Sequence, residues 1–147
     1  MIPIHSKVVS CVLLSQIEGE IKILLMKRVK GDFWCHVAGK IEENETATEA
    51  ICREIYEETQ IEAKNLFSAD YLEQFYEPKL NIIEIIPAFV LFCMPNQEVL
   101  LNHEHTEYKW CGLSEAQALA TFSNQRNLYN FVWESFVVQQ PEKIIGN

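Results

Sequence analysis

In the segment GKIEENETATEAICREIYEETQI, which runs from Gly39 to Ile61, four of the seven glutamates and the one arginine recur at spacings suited to gripping a metal-bound diphosphate. Five residues separate Gly39 from Glu45, seven separate Glu45 from Arg53, and Arg53-Glu54-Ile55 is followed after one residue by Glu57-Glu58. Two carboxylates about 4 Å apart repel by roughly 4 kcal/mol at an effective dielectric of 20, so such a cluster calls for a cation. Ligands that are all oxygen suit Mg²⁺, with Mn²⁺ as the alternative. A cation held there can polarise a phosphoryl oxygen, position an attacking water and neutralise charge on a leaving phosphate. The chemistry implied is hydrolysis of a phosphoanhydride.

These side chains need a helix to hold them. Thr46 with Glu49 three residues later is a capping-box signature, and Thr46 to Thr59 contains neither glycine nor proline. A helix is therefore predicted to start just after Glu45. At 100° per residue, Ala47, Ile51 and Ile55 form an apolar stripe, and Glu54, Glu57 and Glu58 share an adjoining sector about 100° wide. The stripe docks the helix, and the carboxylates line its edge.

The flanks read as strands. Val8 to Ser15 and Ile21 to Lys27 are β-rich runs joined across Gln16 to Glu20, a hairpin connection containing Gly19. Arg28 to Glu45 reads as loop with a short strand around Trp34 to Val37. Leu66 to Phe75 and Ile83 to Met94 are further strands, with Tyr76 to Asn81 as the turn between them, and Glu107 to Cys111 is a short last strand. A short helix follows from Ser114 to Ala120. Ser123 or Asn124 then caps a final helix to about Val138, with Leu128, Phe131, Val132, Ser135 and Phe136 facing inward. The tail, Gln139 to Asn147, is expected to fray. The uneven interleaving points to the α/β class, with a mixed sheet covered by helices on both faces.

Composition sets limits on function. The chain has 147 residues, which fits one domain without an internal boundary. A net charge of -9 disfavours holding nucleic acid through a basic surface, while a small phosphorylated substrate needs only local neutralisation by metal. The N-terminus, MIPIHSKVVSCVLL, has neither the charge pattern of a signal peptide nor the length of a membrane span, so the default location is cytoplasmic. Cys11, Cys35, Cys52, Cys93 and Cys111 include no C-x-x-C pair and read as reduced, mostly buried thiols.

The pattern from Gly39 to Ile61 resembles the Nudix box, G-x5-E-x7-R-E-U-x-E-E-x-G-U, where U is bulky and aliphatic. Every defining position matches except the last glycine, which is Gln60 here. With average residue usage, the matched positions would coincide by chance on the order of once in a million chains of this length. A solvated glutamate-rich helix face explains Glu49 and Glu62 but not the joint spacing of Gly39, Glu45 and Arg53. The resemblance implies an α/β/α sandwich. It also implies that Glu57 and Glu58 are metal ligands, that Glu54 is a ligand or activates water, that the Gly39 carbonyl completes the metal site, and that Arg53 pairs with Glu45.

Upstream, Met26 to Gly39, with its Lys27-Arg28, Phe33-Trp34 and Val37-Ala38-Gly39, is similar to the Nudix branch of dATP and dihydroneopterin triphosphate pyrophosphatases. Glu104 to Trp110 and Phe122-Ser123-Asn124 are similar to it as well, so the likeness spans roughly residues 7 to 137. By this resemblance Glu104 is a further metal ligand or base, and Glu107 is its rival. Arg28 and Lys40 are candidate phosphate contacts. Trp34 and Tyr76 are candidates to stack on a base or pterin, although aromatics in such a context are more often core. His36, His103 and His105 fit no common zinc spacing, and ordinary hydrogen-bonding roles are preferred.

The expected activity is cleavage of a nucleoside or pterin triphosphate to a monophosphate and pyrophosphate. The alternatives are a hydrolase of nucleoside diphosphate sugars or dinucleoside polyphosphates, and a non-catalytic nucleotide-binding module. The intact Glu54, Glu57 and Glu58 favour catalysis. A homodimer is common in the family.

Overall fold

The computed structural model describes residues 1 to 139. Its strands are β1 (Ile4–His5), β2 (Val8–Ile17), β3 (Glu20–Arg28), β4 (Trp34–Cys35), β5 (Val37–Lys40), β6 (Leu66–Glu77), β7 (Ile82–Phe92) and β8 (His105–Cys111). The helices are α1 (Ala47–Thr59), α2 (Leu113–Leu119) and α3 (Ser123–Val132), and α3 runs on into a π-helical turn, Trp133–Val138.

The sheet is mixed, and its layout follows from one hairpin. β2 and β3 turn through Glu18 and Gly19, both at positive φ (51° and 86°), which is the tight geometry that matches strand twist. The connection is thus shorter than the five residues expected from sequence. The two strands pair antiparallel from Ile17–Glu20 to Leu14–Ile23. Beyond that point they part. β5 pairs with the first half of β2, from Val8–Lys40 to Cys11–Val37, and β4 pairs with the end of β3 at Met26–Cys35 and Lys27–Trp34. The segment expected to be mostly loop therefore enters the sheet as two short strands. On the other side, β7 runs parallel to β2, β6 pairs antiparallel with β7, and β8 pairs antiparallel with β3. The pair Ile4–His5, which has no clear sequence signal, lies parallel to β7.

Period-two alternation divides β2 between two cores. Val9, Cys11 and Leu13 join Leu24, Met26 and Val37 under the α1 residues Ala50, Ile51 and Ile55. Val12 and Leu14 join Ile23, Leu25 and Val90 under Ala116 of α2 and Leu128, Tyr129 and Val132 of α3. The result is the expected α/β/α sandwich. Cys11 and Cys111 are buried and the other three cysteines are half-buried, all as free thiols. Burial pushes Cys35, Cys93 and Cys111 up to about 12, so they stay protonated.

Two helix ends differ in detail from expectation. α3 is capped at Phe122, whose N–H donates to the Gln125 side chain, while Asn124 reaches across to the Gln74 carbonyl at 2.8 Å. Phe131, ahead of the π turn, and Ser135 within it are only half-buried, while Leu128, Val132 and Phe136 form the buried face. Of the tail expected to fray, residues 140 to 147 lie outside the described residues.

α1 ends at Gln60 in the left-handed conformation (φ 60°, ψ 22°), its N–H donating to the Tyr56 carbonyl at 2.8 Å. The chain thus keeps the geometry a glycine would give, with a residue that occupies it at a cost of roughly 1 kcal/mol. Part of that cost returns as entropy when glycine is unfolded. Gln60→Gly is expected to stabilise by about 0.5 kcal/mol, raising Tm by about 1–2 °C. A lower Tm in thermal denaturation would show that the Gln60 side chain contributes something the backbone does not.

Candidate functional site

The carboxylates converge because α1 packs against β5. Thr46 accepts from the Glu49 N–H at 3.1 Å and Glu49 accepts from the Thr46 N–H at 2.9 Å, closing the capping box that fixes where the helix begins. The stripe of Ile51 and Ile55 is fully buried, which sets the rotation of the helix. Glu54 then lies directly beneath Gly39. A Cβ at position 39 would overlap the Glu54 carboxylate, so only glycine admits this approach.

Arg53 ties the helix to the strand and loop before it. Its Nε and Nη2 grip the two oxygens of Glu45 at 2.7 and 2.9 Å, and Nη2 also donates to the Lys40 carbonyl at 2.9 Å. This is the fork geometry that makes arginine hard to replace. The hydrogen bond from Arg53 holds the Glu45 carboxyl down to about 2, so the pair stays charged at any working pH. The remaining nitrogen, Nη1, reaches Glu54 at 2.8 Å and Glu57 at 3.3 Å. One guanidinium thus hydrogen-bonds three carboxylates and lies 3.6 Å from a fourth, Glu42, while Glu58 is not among its partners in the described residues.

Glu58 is the most enclosed of the set, at 2% exposure. Burial pushes its carboxyl up to about 9, and hydrogen bonding and charge from Glu54, then charge from Glu104, push in the same direction. Arg28 pulls the other way. Glu104 and Arg28 therefore both face this carboxylate. Glu107 does not: it sits half-exposed on β8, 3.8 Å from Lys27 Nζ. His105 is buried with Nε2 3.9 Å from Glu58 and Nδ1 without a partner among the described residues, while His103 is exposed.

A cleft of about 820 Å³ opens on the α3 face of the sheet, and Arg28, Cys35 and Ala38 at its edge connect it to the carboxylate side. The charge of Arg28 acts on Glu58 and that of Glu58 on Cys35, so the two regions are neighbours around the end of the splayed hairpin. Phe33, Phe75, Tyr76 and Phe122 supply aromatic walls. Of the four residues expected to touch substrate, Arg28 and Tyr76 line the cleft. Trp34 does not: it packs on the core under α2 and α3, with Lys109 Nζ 5.5 Å from its ring centre. The Lys40 side chain is exposed away from the cleft, and only its carbonyl is engaged.

Sequence reasoning missed what lies on the floor. Glu73 is buried, with Ser10 Oγ donating to its Oε2 and His36 Nε2 3.2 Å from the same atom; His36 Nδ1 in turn lies 2.8 Å from the Tyr129 hydroxyl. The reason is a bulge in β6 between Ser68 and Tyr71, with Asp70 at φ 57°. It resets the alternation so that Leu72 faces solvent and Glu73 faces in. Only a hydrophobic residue standing out of phase with a neighbouring glutamate hinted at this.

The residues beside Gly39 fit a hard divalent cation in type: Glu54, Glu57, Glu58 and a backbone carbonyl offer oxygens alone, and Gly39 leaves room where a Cβ would intrude. No three His, Cys, Asp or Glu side chains among the described residues stand ready-converged on one point, because Arg53 engages Glu54 and Glu57. Glu54, Glu57, Glu58 and the Gly39 carbonyl are the groups that would hold such a cation, and the fork of Arg53 on Glu45 uses other nitrogens than Nη1.

Comparison with known proteins agrees with the box. The NUDIX domain profile matches residues 5–131. The dihydroneopterin triphosphate diphosphatase of Escherichia coli K12 is 30% identical over 124 residues, covering 75% of this chain and 81% of that protein. The asymmetrical bis(5'-nucleosyl)-tetraphosphatase of Mus musculus is 31% identical over 112 residues, covering 72% and 74%. In fold, a Caenorhabditis elegans Ap4A hydrolase aligns with TM-score 0.77 at 23% identity, covering 90% of this chain and 97% of that one. The E. coli dihydroneopterin triphosphate pyrophosphohydrolase aligns with TM-score 0.75 at 24% identity, covering 94% and 99%. The chain belongs to the Nudix family and is a Nudix hydrolase.

Proposed function

We propose that this protein is a single-domain, Mg²⁺-dependent hydrolase, active in the cytoplasm, that cleaves a nucleoside or pterin triphosphate to a monophosphate and pyrophosphate, with Mn²⁺ able to replace Mg²⁺. The observation that carries this reading is the packing of Glu54 beneath Gly39 with Glu58 buried beside it, next to a cleft walled by aromatics. Glu54, Glu57, Glu58 and the Gly39 carbonyl hold the metal, and Glu104 contributes from the loop facing Glu58. When bound, the cation polarises the phosphoryl group and makes the attacking water more acidic.

The remaining work falls to the chain itself. Glu54, held by Arg53 at 2.8 Å, is placed to orient and deprotonate the water. Arg53 and Glu45 fix the entry loop so that the Gly39 carbonyl keeps its position. Arg28, at the junction of the carboxylates and the cleft, pairs with a substrate phosphate and draws the triphosphate across the end of the sheet. The heterocycle then lies between Tyr76 and the other aromatic walls.

The test is a panel in Mg²⁺ of nucleoside triphosphates, dihydroneopterin triphosphate, ADP-ribose and dinucleoside polyphosphates, scoring both products. Pyrophosphate release from triphosphates is expected. Preferential cleavage of dinucleoside polyphosphates, the substrate class named for the mouse relative, would replace this reading with the second one. Glu57→Gln should lower turnover by about 10²-fold or more, the scale for losing a metal or acid-base group. Turnover like that of the unaltered protein would remove Glu57 from the site.

A further inference from the structure

The buried carboxylate on the cleft floor has no part in the phosphate chemistry. Glu73 is 6% exposed and lines the cleft. Its hydrogen bonds from Ser10 and His36 both fall on Oε2, while Oε1 has no partner among the described residues and is not sealed from the cleft. Burial pushes the carboxyl up, but the charge of His36 and the hydrogen bonds from His36 and Ser10 outweigh it and hold Glu73 below its usual range. With Glu73 ionised, His36 Nε2 carries the proton it donates. The Tyr129 hydroxyl, 2.8 Å from Nδ1, fixes the ring from behind.

An ionised carboxylate accepts hydrogen bonds and donates none, so Oε1 demands donors from whatever enters. Phe75, Tyr76 and Phe122, each 44 to 56% exposed around it, offer faces for a flat heterocycle. Flat heterocycles differ in the edge they bring. Guanine and the pterins present a ring N–H beside an exocyclic amino group, two adjacent donors. Adenine and cytosine set a ring acceptor beside the amino group, which a carboxylate repels, and hypoxanthine offers the N–H alone.

We propose that Glu73 is a specificity-determining residue that accepts hydrogen bonds from the 2-amino-4-oxo edge of the substrate's heterocycle, the edge shared by guanine and the pterins. The assignment rests on the reading of this enzyme as a triphosphate hydrolase and narrows it to one substrate class. Ser10 and His36 are positioning residues: they occupy Oε2 and aim Oε1 at the ligand.

The experiment compares kcat/KM for GTP, ITP, ATP and dihydroneopterin triphosphate, in the unaltered enzyme and in Glu73→Gln. ITP differs from GTP only by the 2-amino group. The unaltered enzyme should favour GTP or dihydroneopterin triphosphate over ITP by about 10-fold or more, and Glu73→Gln should shrink that ratio to within about 3-fold. The faster of the two favoured substrates identifies the heterocycle. Equal rates for GTP and ITP in the unaltered enzyme would overturn the assignment, whether or not the variant folds. Calorimetric binding of GMP and IMP separates this assignment from the one beneath it. If no triphosphate is cleaved, the proposed activity fails, and tighter GMP than IMP still supports Glu73 while equal affinities overturn it.

Discussion

The structure turns on negative charge packed where it would not settle unaided. Gly39 lets the Glu54 carboxylate press against the strand backbone, and the burial of Ile51 and Ile55 swings Glu58 into a pocket at 2% exposure. Each of these placements follows from apolar packing of α1, not from attraction among the acids. Arg53 offsets part of the cost by spreading one guanidinium over Glu45, Glu54 and Glu57. Glu58 is left with its burial and with Glu54 and Glu104 as neighbours, which together push its carboxyl up to about 9. On the proposed reading, a site built this way would favour a divalent cation, because the fold has already crowded the ligands together.

The splayed hairpin explains why the carboxylate cluster and the aromatic cleft are neighbours on opposite faces of the sheet. Had β2 and β3 stayed paired along their whole length, β4 and β5 could not enter the gap. Gly39 would then have no strand to sit on, and His36 would have no route to the α3 face. As built, β5 presents Gly39 to α1 on one face and Ala38 to the cleft on the other. Arg28 at the end of β3 stands at the junction.

Much of the carboxylate side was legible in the sequence, because helices report themselves locally. Thr46 and Glu49 close the capping box, and the three-to-four spacing of Ala47, Ile51 and Ile55 assigns the face. The pairing of Arg53 with Glu45 was implied by the resemblance to the box and not by local geometry, and the structure brings the two together. The cleft was far less legible. Trp34 and Phe33 are adjacent and similar in chemistry, yet Phe33 lines the cleft and Trp34 enters the core, a choice made by the short β4 pairing. Glu73 meets His36 and Ser10 across 37 and 63 residues, through a bulge that inverts the strand's alternation. Nothing local encodes such a meeting. Gln60 shows the converse, a departure in residue type that left the backbone geometry intact.

The buried Glu58 carboxyl, pushed up to about 9, costs stability at neutral pH that a divalent cation would return. Thermal denaturation of the metal-free protein and of Glu58→Gln, each with and without Mg²⁺, measures this directly. Without metal and at neutral pH, Glu58→Gln should melt higher, by about 2 °C or more, since an amide escapes the cost of keeping a buried carboxyl protonated far above its ordinary range. Added Mg²⁺ should raise the Tm of the unaltered protein and do little for the variant. A variant that melts lower without metal, or that gains as much from Mg²⁺ as the unaltered protein, would contradict the account.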